Sequence, residues 1–275
     1  MRPIEVRGLR KRYGNRPAID GIDLDVEPGE VFALLGPNGA GKTTTVEILE
    51  GHRRRDGGEV TVLGEDPGTA GRRWRARIGV VLQTAADAAE LTVRESVRHY
   101  GGYYPSRRDP EEVIAAVGLT DKAGARVRSL SGGQRRRLDV ALGIVGRPEL
   151  VFLDEPTTGF DPEARRQFWD LIRSLAADGT TILLTTHYLD EAEALAGRLA
   201  VLAGGRIVAA GTPATVGGRD RAHAVVSWRD ADGLHEVRTG EPDAVVAGLD
   251  AGFTDLRVTR PTLEDVYLSL IGADR

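Results

Sequence analysis

Val31-Phe32-Ala33-Leu34-Leu35-Gly36-Pro37-Asn38-Gly39-Ala40-Gly41-Lys42-Thr43-Thr44 decides how the rest of the chain is read. Val31 to Leu35 is an apolar run after the Pro28-Gly29 turn, as expected of a buried strand. The spacing G-x-x-x-x-G-K-T follows it, and Lys42 to about Glu50 reads as a helix. Strand, glycine loop and helix in that order make a phosphate loop. Glycines let the backbone wrap closely, and successive N–H groups reinforced by the helix N-terminus form an anion nest. Gly36, Asn38, Gly39, Ala40 and Gly41 therefore line an expected cradle. Lys42 is expected to reach the β- and γ-phosphates, Thr43 to offer its hydroxyl to Mg²⁺, and Thr44 to sit near the α-phosphate. The loop alone does not choose among kinases, GTPases and transport ATPases. A guanine-reading N-K-x-D segment is absent.

Four further segments follow in order. Gln83 comes after the apolar run Ile78 to Leu82. Leu130-Ser131-Gly132-Gly133-Gln134 opens a helix, where exposed N–H groups and the Ser131 hydroxyl make a second anion site. Leu150-Val151-Phe152-Leu153 reads as a buried parallel strand ending in Asp154-Glu155. Asp154 suits Mg²⁺, directly or through water. Glu155, one residue on, faces another way and suits polarisation of an attacking water. His187 follows the run Thr180 to Thr186.

Around these motifs, strands and helices alternate, which predicts a mostly parallel sheet. Residues 1–35 read as strands, forming an N-terminal β subdomain expected to be antiparallel. Residues from about 84 to 145 interrupt the alternation as an inserted helical subdomain. Within it, Leu91 to Ser96 starts one helix, and Asp109-Pro110 caps another. Asp161 is a natural N-cap before Pro162, and Phe168, Leu171, Ile172 and Leu175 make one apolar stripe. Gly217 to Asp220 reads as a linker. Beyond it, residues 219–275 form a small α+β appendix of short strands at 222–228, 234–237 and 253–258, with a helix between. A final helix is capped by Thr262 and Asp265. Leu263, Val266, Tyr267 and Leu270 share one face of it, with local packing inside the appendix as the expectation. The division is thus 1–218 and 219–275.

Composition excludes several classes. The 275 residues contain no cysteine, so disulfides, thiolate catalysis and Cys-based metal sites are ruled out. A net charge of −4 offers nothing to a nucleic-acid partner. No apolar run approaches the ~18–20 residues that span a bilayer, and the first residues lack the apolar core of a signal peptide.

Taken together, these motifs resemble the nucleotide-binding subunit of an ATP-binding cassette (ABC) transporter, across roughly residues 3–215. The resemblance implies an α/β P-loop NTPase of ABC ATPase type that hydrolyses ATP with Mg²⁺. It implies an ATP-dependent, head-to-tail homodimer, in which the P-loop of one copy and Ser131-Gly132-Gly133-Gln134 of the other share each γ-phosphate. By position, Tyr13 matches the aromatic that stacks on adenine. Gln83 matches the Q-loop glutamine, which senses Mg²⁺ and γ-phosphate. Asp161 matches the D-loop aspartate at the dimer interface, and His187 the switch histidine that helps position the water. Phe160 stands where the family usually has Leu, so different interface packing is expected there. Thr84 to Glu90 lacks the aromatic or proline often found after the Q-loop. Pro261 to Leu268 resembles the C-terminal box of ABC-2-type exporter ATPases, the antibiotic-resistance type included. The expectation is therefore an ATPase at the cytoplasmic face of the membrane, held there by a separate ABC-2-type permease. A drug-like, lipid or other hydrophobic cargo is expected. The alternative is a soluble cassette ATPase of translation or DNA repair, but such chains usually carry two cassettes or a long coiled coil.

Overall fold

The computed structural model describes residues 1–81, 90–249 and 252–272. Along the first half run β1 (Ile4–Tyr13), β2 (Arg16–Val26), β3 (Val31–Leu35), α1 (Lys42–Leu49), β4 (Gly57–Val62), α2 (Arg72–Arg75), β5 (Ile78–Val81), α3 (Val93–Gly101), α4 (Pro110–Ala116) and α5 (Gly132–Ile144). Then come β6 (Leu150–Asp154), α6 (Pro162–Ala177), β7 (Thr181–Thr186), α7 (Leu189–Leu195), β8 (Arg198–Ala203) and β9 (Arg206–Gly211). The remainder is β10 (Ala224–Asp230), β11 (Gly233–Thr239), α8 (Pro242–Ala247), β12 (Thr254–Thr259) and α9 (Leu263–Gly272).

The central sheet has the order β5-β6-β7-β3-β8-β9. Its first five strands are mutually parallel, and only β9 runs antiparallel, on β8. Both faces are covered, which explains why these strands are continuous apolar runs rather than alternating ones. In β3, Val31, Ala33 and Leu35 face the core shared with the helices. Phe32 and Leu34 face the opposite core, beneath the antiparallel sheet β2-β1-β4 and α1. Leu150 and Phe152 of β6 also face that second core, while Val151 and Leu153 face the helices.

The described part of the helical block holds α3, α4 and α5. Thr92 caps α3 with a reciprocal box to Glu95, and Asp109 caps α4 with Pro110 at its first turn. Single 3₁₀ turns at Thr120–Lys122 and Val127–Ser129 lead into α5. Gln83 and residues 84–89 lie outside the described residues.

The C-terminal segment has a three-stranded antiparallel sheet, β11-β10-β12, with α8 against β10. Two expectations are corrected here. The Gly217 to Asp220 stretch is not a free linker but lies in a fastened turn, Val216–Arg221, kinked at Gly217 and Gly218, whose φ of 61° and 78° is not helical. Arg219 fastens it, donating to Pro213 O and Pro261 O, each at 2.9 Å, and to Glu193 Oε1 at 2.8 Å. The apolar face of α9, in turn, reaches beyond its own small sheet. It lies against α7, β8 and the Val216–Arg221 turn, and Leu263 joins the same core as Val151 and Ile172. Gly217 permits this close approach. Its φ is +61°, and a Cβ there would stand 2.6 Å from Val266 Cγ1.

A cleft with a phosphate loop, two carboxylates and a histidine

The loop Gly36 to Gly41 joins the C-terminal end of β3 to the N-terminus of α1. This is where ligands sit in open α/β sheets. Its curvature leaves no room for side chains at Gly36 and Gly41. A Cβ at Gly36 would lie 2.3 Å from Leu202 O, and one at Gly41 2.6 Å from Ala18 O. Lys42 is buried, and its Nζ donates to Gly36 O at 2.7 Å and Pro37 O at 3.3 Å. Burial holds its ammonium below the usual lysine range, against the pull of Glu155 and Asp154. Thr43 and Thr44 follow on the first turn of α1.

Two neighbouring parallel strands deliver the acids. Asp154 ends β6, and its Oδ1 accepts a hydrogen bond from the Thr185 hydroxyl of β7. Glu155 turns the chain in the left-handed region, with φ 46°. Its N–H donates to Thr185 O at 3.0 Å, which fixes that turn on β7. The change of backbone direction separates the two adjacent carboxylates. Glu155 Oε1 lies 3.1 Å from His187 Nδ1, just beyond the end of β7. His187 leans on the Tyr188 ring at 4.1 Å between centroids.

These parts meet in a cleft of about 390 Å³ lined by Asn38, Gly39, Gly41, Lys42, Thr43, Thr44, Asp154 and Glu155, with Ala18 from β2. N–H groups, a lysine and a helix N-terminus at one side suit a polyphosphate. The hard oxygen donors of Thr43 and Asp154 suit Mg²⁺, which takes few protein ligands and shares the rest with phosphate and water. No group of three or more acidic or histidine side chains forms a metal cage among the described residues.

The remaining expected residues lie elsewhere. Tyr13 ends β1, half-exposed, with the Arg53 guanidinium 5.3 Å from its ring centroid. Ser131 caps α5 in a reciprocal box with Gln134, and Ser131 and Gly132 are exposed. None of Ser131, Gly132, Gly133 and Gln134 lines the phosphate cleft of its own chain. Asp161 caps α6 through Ala164 N at 2.8 Å. Phe160 points into its own chain, edge-on to Phe168 at 5.8 Å between centroids.

Three contributors are absent from the reading of the sequence. Ala18 offers no chemistry to notice. Thr185 did carry a signal, a hydroxyl residue directly after the apolar run Ile182 to Leu184. Arg136 carried one too, being a cation on the same helical face as the apolar Val140 and Ile144.

Comparison with known proteins identifies the family. The ABC transporter family model matches residues 19–158, just over half of the chain. The daunorubicin resistance ATP-binding protein DrrA3 of Streptomyces coeruleorubidus is 40% identical, over 99% of this chain and 96% of its own length. The Nod factor export ATP-binding protein I of Rhizobium meliloti (strain 1021) is 41% identical, over 98% of this chain and 88% of its own. Among solved structures, an ATP-binding subunit of an ABC transporter superposes with a TM-score of 0.74 at 23% identity, covering 97% of this chain and 98% of that one. A dimeric bacterial ABC transporter cassette gives 0.68 at 23% identity, over 76% and 98%. With the phosphate loop and the Asp154-Glu155 pair both inside or at the edge of the matched segment, the chain belongs to the ABC transporter family as an ATP-hydrolysing subunit.

Proposed function

We propose that this chain powers a separate ABC-2-type membrane permease that exports a drug-like, lipid or other hydrophobic compound. The observation that carries the ATPase chemistry is the 3.1 Å contact between His187 and Glu155, a residue that lines the phosphate cleft. ATP phosphates occupy the nest from Gly36 to Gly41, with Lys42 on the β- and γ-oxygens and Thr44 near the α-phosphate. Thr43, Asp154 and Gln83 would hold Mg²⁺, which would supply positive charge to offset that of the phosphates. Tyr13 stacks on adenine. Glu155 accepts the proton of the attacking water, and His187 holds that carboxylate and the γ-phosphate in register.

In this reading two copies close head-to-tail on two ATP molecules. The exposed α5 start, from Ser131 to Gln134, serves the nucleotide of the other copy, and Asp161 lies at the interface. Their absence from the cleft of their own chain supports this arrangement. Among the described residues no helix is long and apolar enough to cross a membrane, so work at the cytoplasmic face requires a permease partner. The names of the daunorubicin resistance and Nod factor export relatives support export.

The experiment is a Glu155→Gln substitution with two readouts. Purified protein should keep ATP affinity, lose turnover and accumulate as an ATP-bound dimer, because ligand held by the closed state stabilises it. Cells carrying the substitution in their own gene should retain more of a hydrophobic dye than wild-type cells. Turnover near wild-type rejects the role of Glu155, and unchanged dye retention rejects export of such compounds.

A further inference from the structure

Arg136 lies behind the cleft, not in it. It sits five residues after Ser131 on α5, about 7.5 Å along the axis, and is 8% exposed. Its Nε donates to Pro156 O at 3.2 Å, and its Nη2 donates to Asp154 O. Those two carbonyls bracket Glu155. The left-handed Glu155 turn is thus held on one side by Thr185 of β7 and on the other by a side chain from α5.

Burial disfavours the charge of the guanidinium, and Asp139, Asp154, Glu191 and Glu155 oppose that in turn. Glu191, on α7, is fully buried and faces the Thr186 and Thr157 hydroxyls, though without good hydrogen-bond geometry. Burial raises the carboxyl of Asp139 to about 6, with Arg136 and then Arg135 opposing. An arginine desolvated this far stays only where its fork is filled. One side chain therefore ties α5 to the turn carrying Glu155.

We propose that Arg136 is a positioning residue that couples the two nucleotide sites of the dimer. Nucleotide gripped at Ser131 belongs to one site, while Glu155 of the same chain works at the other. Arg136 joins the two so that α5 and the Glu155 turn shift as one body. Filling one site then sets the carboxylate geometry of its neighbour. This inference rests on the head-to-tail arrangement above, but it adds a residue and a direction of transmission.

The test uses dimers assembled from two differently tagged full-length chains. The second chain carries either Glu155→Gln, which should hold ATP without turning it over, or Lys42→Ala, which should not hold it. In both dimers only the first chain hydrolyses. The ratio of the two rates measures how far a filled neighbouring site stimulates it. Arg136→Lys in the first chain keeps the charge but loses the two-pronged grip. It should lower the ratio at least about 5-fold, the scale of an ordinary coupling between sites. The ATP affinity of that chain should stay within about 2-fold. An equal fall in both rates, leaving the ratio intact, overturns the proposal, because Arg136 would then only shape its local turn. A ratio of one with Arg136 in place removes site sharing itself and the proposal with it. Should Arg136→Lys fail to fold, Asp139→Asn removes the carboxylate that most favours the guanidinium's charge and must also lower the ratio. A folded Asp139→Asn with an unchanged ratio overturns the proposal equally.

Discussion

Strands β7 and β12 are each six residues long, yet every residue of β7 is buried and five of the six in β12 are exposed. Threonines begin and end both. In β7 they flank Ile182-Leu183-Leu184, covered on both faces, and Thr185 spends its hydroxyl and carbonyl on Asp154 and Glu155. In β12 they flank Asp255-Leu256-Arg257-Val258 at the edge of a small sheet. Burial on both faces fixes a strand end well enough to place a carboxylate to within a fraction of an ångström, which catalysis requires. The edge strand has no such constraint. The C-terminal segment is held to the body by other means, the docked helix α9 and Arg219.

The widest separation of the two regions should appear in activity. Glu155→Gln should reduce phosphate release by ~10²–10⁴-fold, while Leu234→Ser on exposed β11 should leave the rate unchanged. A Leu234→Ser protein with reduced turnover would break the contrast.

Stability should divide differently, because α9 belongs to the body. Leu263 is 1% exposed. Leu263→Ala should cost ~2–5 kcal/mol, and thermal melting should fall by several degrees. Leu268, on the exposed side of the same helix, should change stability by no more than ~0.5 kcal/mol when replaced by Ala. Equal melting temperatures for the two variants would mean that α9 is not docked in solution.

A smaller effect concerns pH. Glu50 follows α1 and is almost wholly buried. Its Oε2 lies 3.2 Å from His52 Nδ1 but lacks hydrogen-bond geometry. Burial, then Asp154, then Glu47 push its carboxyl from 4.5 up to about 8. Between those values the folded chain keeps a proton that the unfolded chain releases, so this group makes stability fall as pH rises. Glu50→Gln should remove that slope. Its melting temperature relative to wild-type should climb from pH 5 to pH 8 and then level off. A constant difference across that range would place the Glu50 carboxyl in contact with water. The smallest expected change is that of Leu234→Ser on stability, within ~0.5 kcal/mol.

The sequence made the phosphate cleft legible because each of its parts has a local cause. A buried run, a glycine spacing and a strand-end acidic pair are each readable within ten residues. What depended on distant packing was not readable. The hairpin of β8 and β9 is missing from the sequence reading although Gly204 and Gly205, both at positive φ, mark its turn between apolar runs. The stripe Leu263, Val266, Tyr267 and Leu270 did identify a buried face, since periodicity reports which side is covered. It does not report by what, and the elements beside it include the Val216–Arg221 turn, α7 and β8. Phe160 taught the same lesson. Its bulk was visible, but its direction, inward onto Phe168, was set by the core. Arg136 stood in a run of three arginines; its spacing to Val140 and Ile144 hinted at a buried face, but its partners, Asp154 O and Pro156 O, are set by the fold.

The docking of α9 also imposes a timetable on the chain. Leu195, Leu199, Val201 and Val216 share one core with Leu263, yet the ribosome delivers Leu263 several seconds after Leu195 at typical elongation rates of ~5–20 residues per second. During that interval the strands and helices around the phosphate loop can already assemble, leaving an oily groove uncovered beside α7. Chaperones and proteases read such a groove as unfinished work. Slow codons between Val216 and Leu263 would prolong its exposure without altering a single residue of the product.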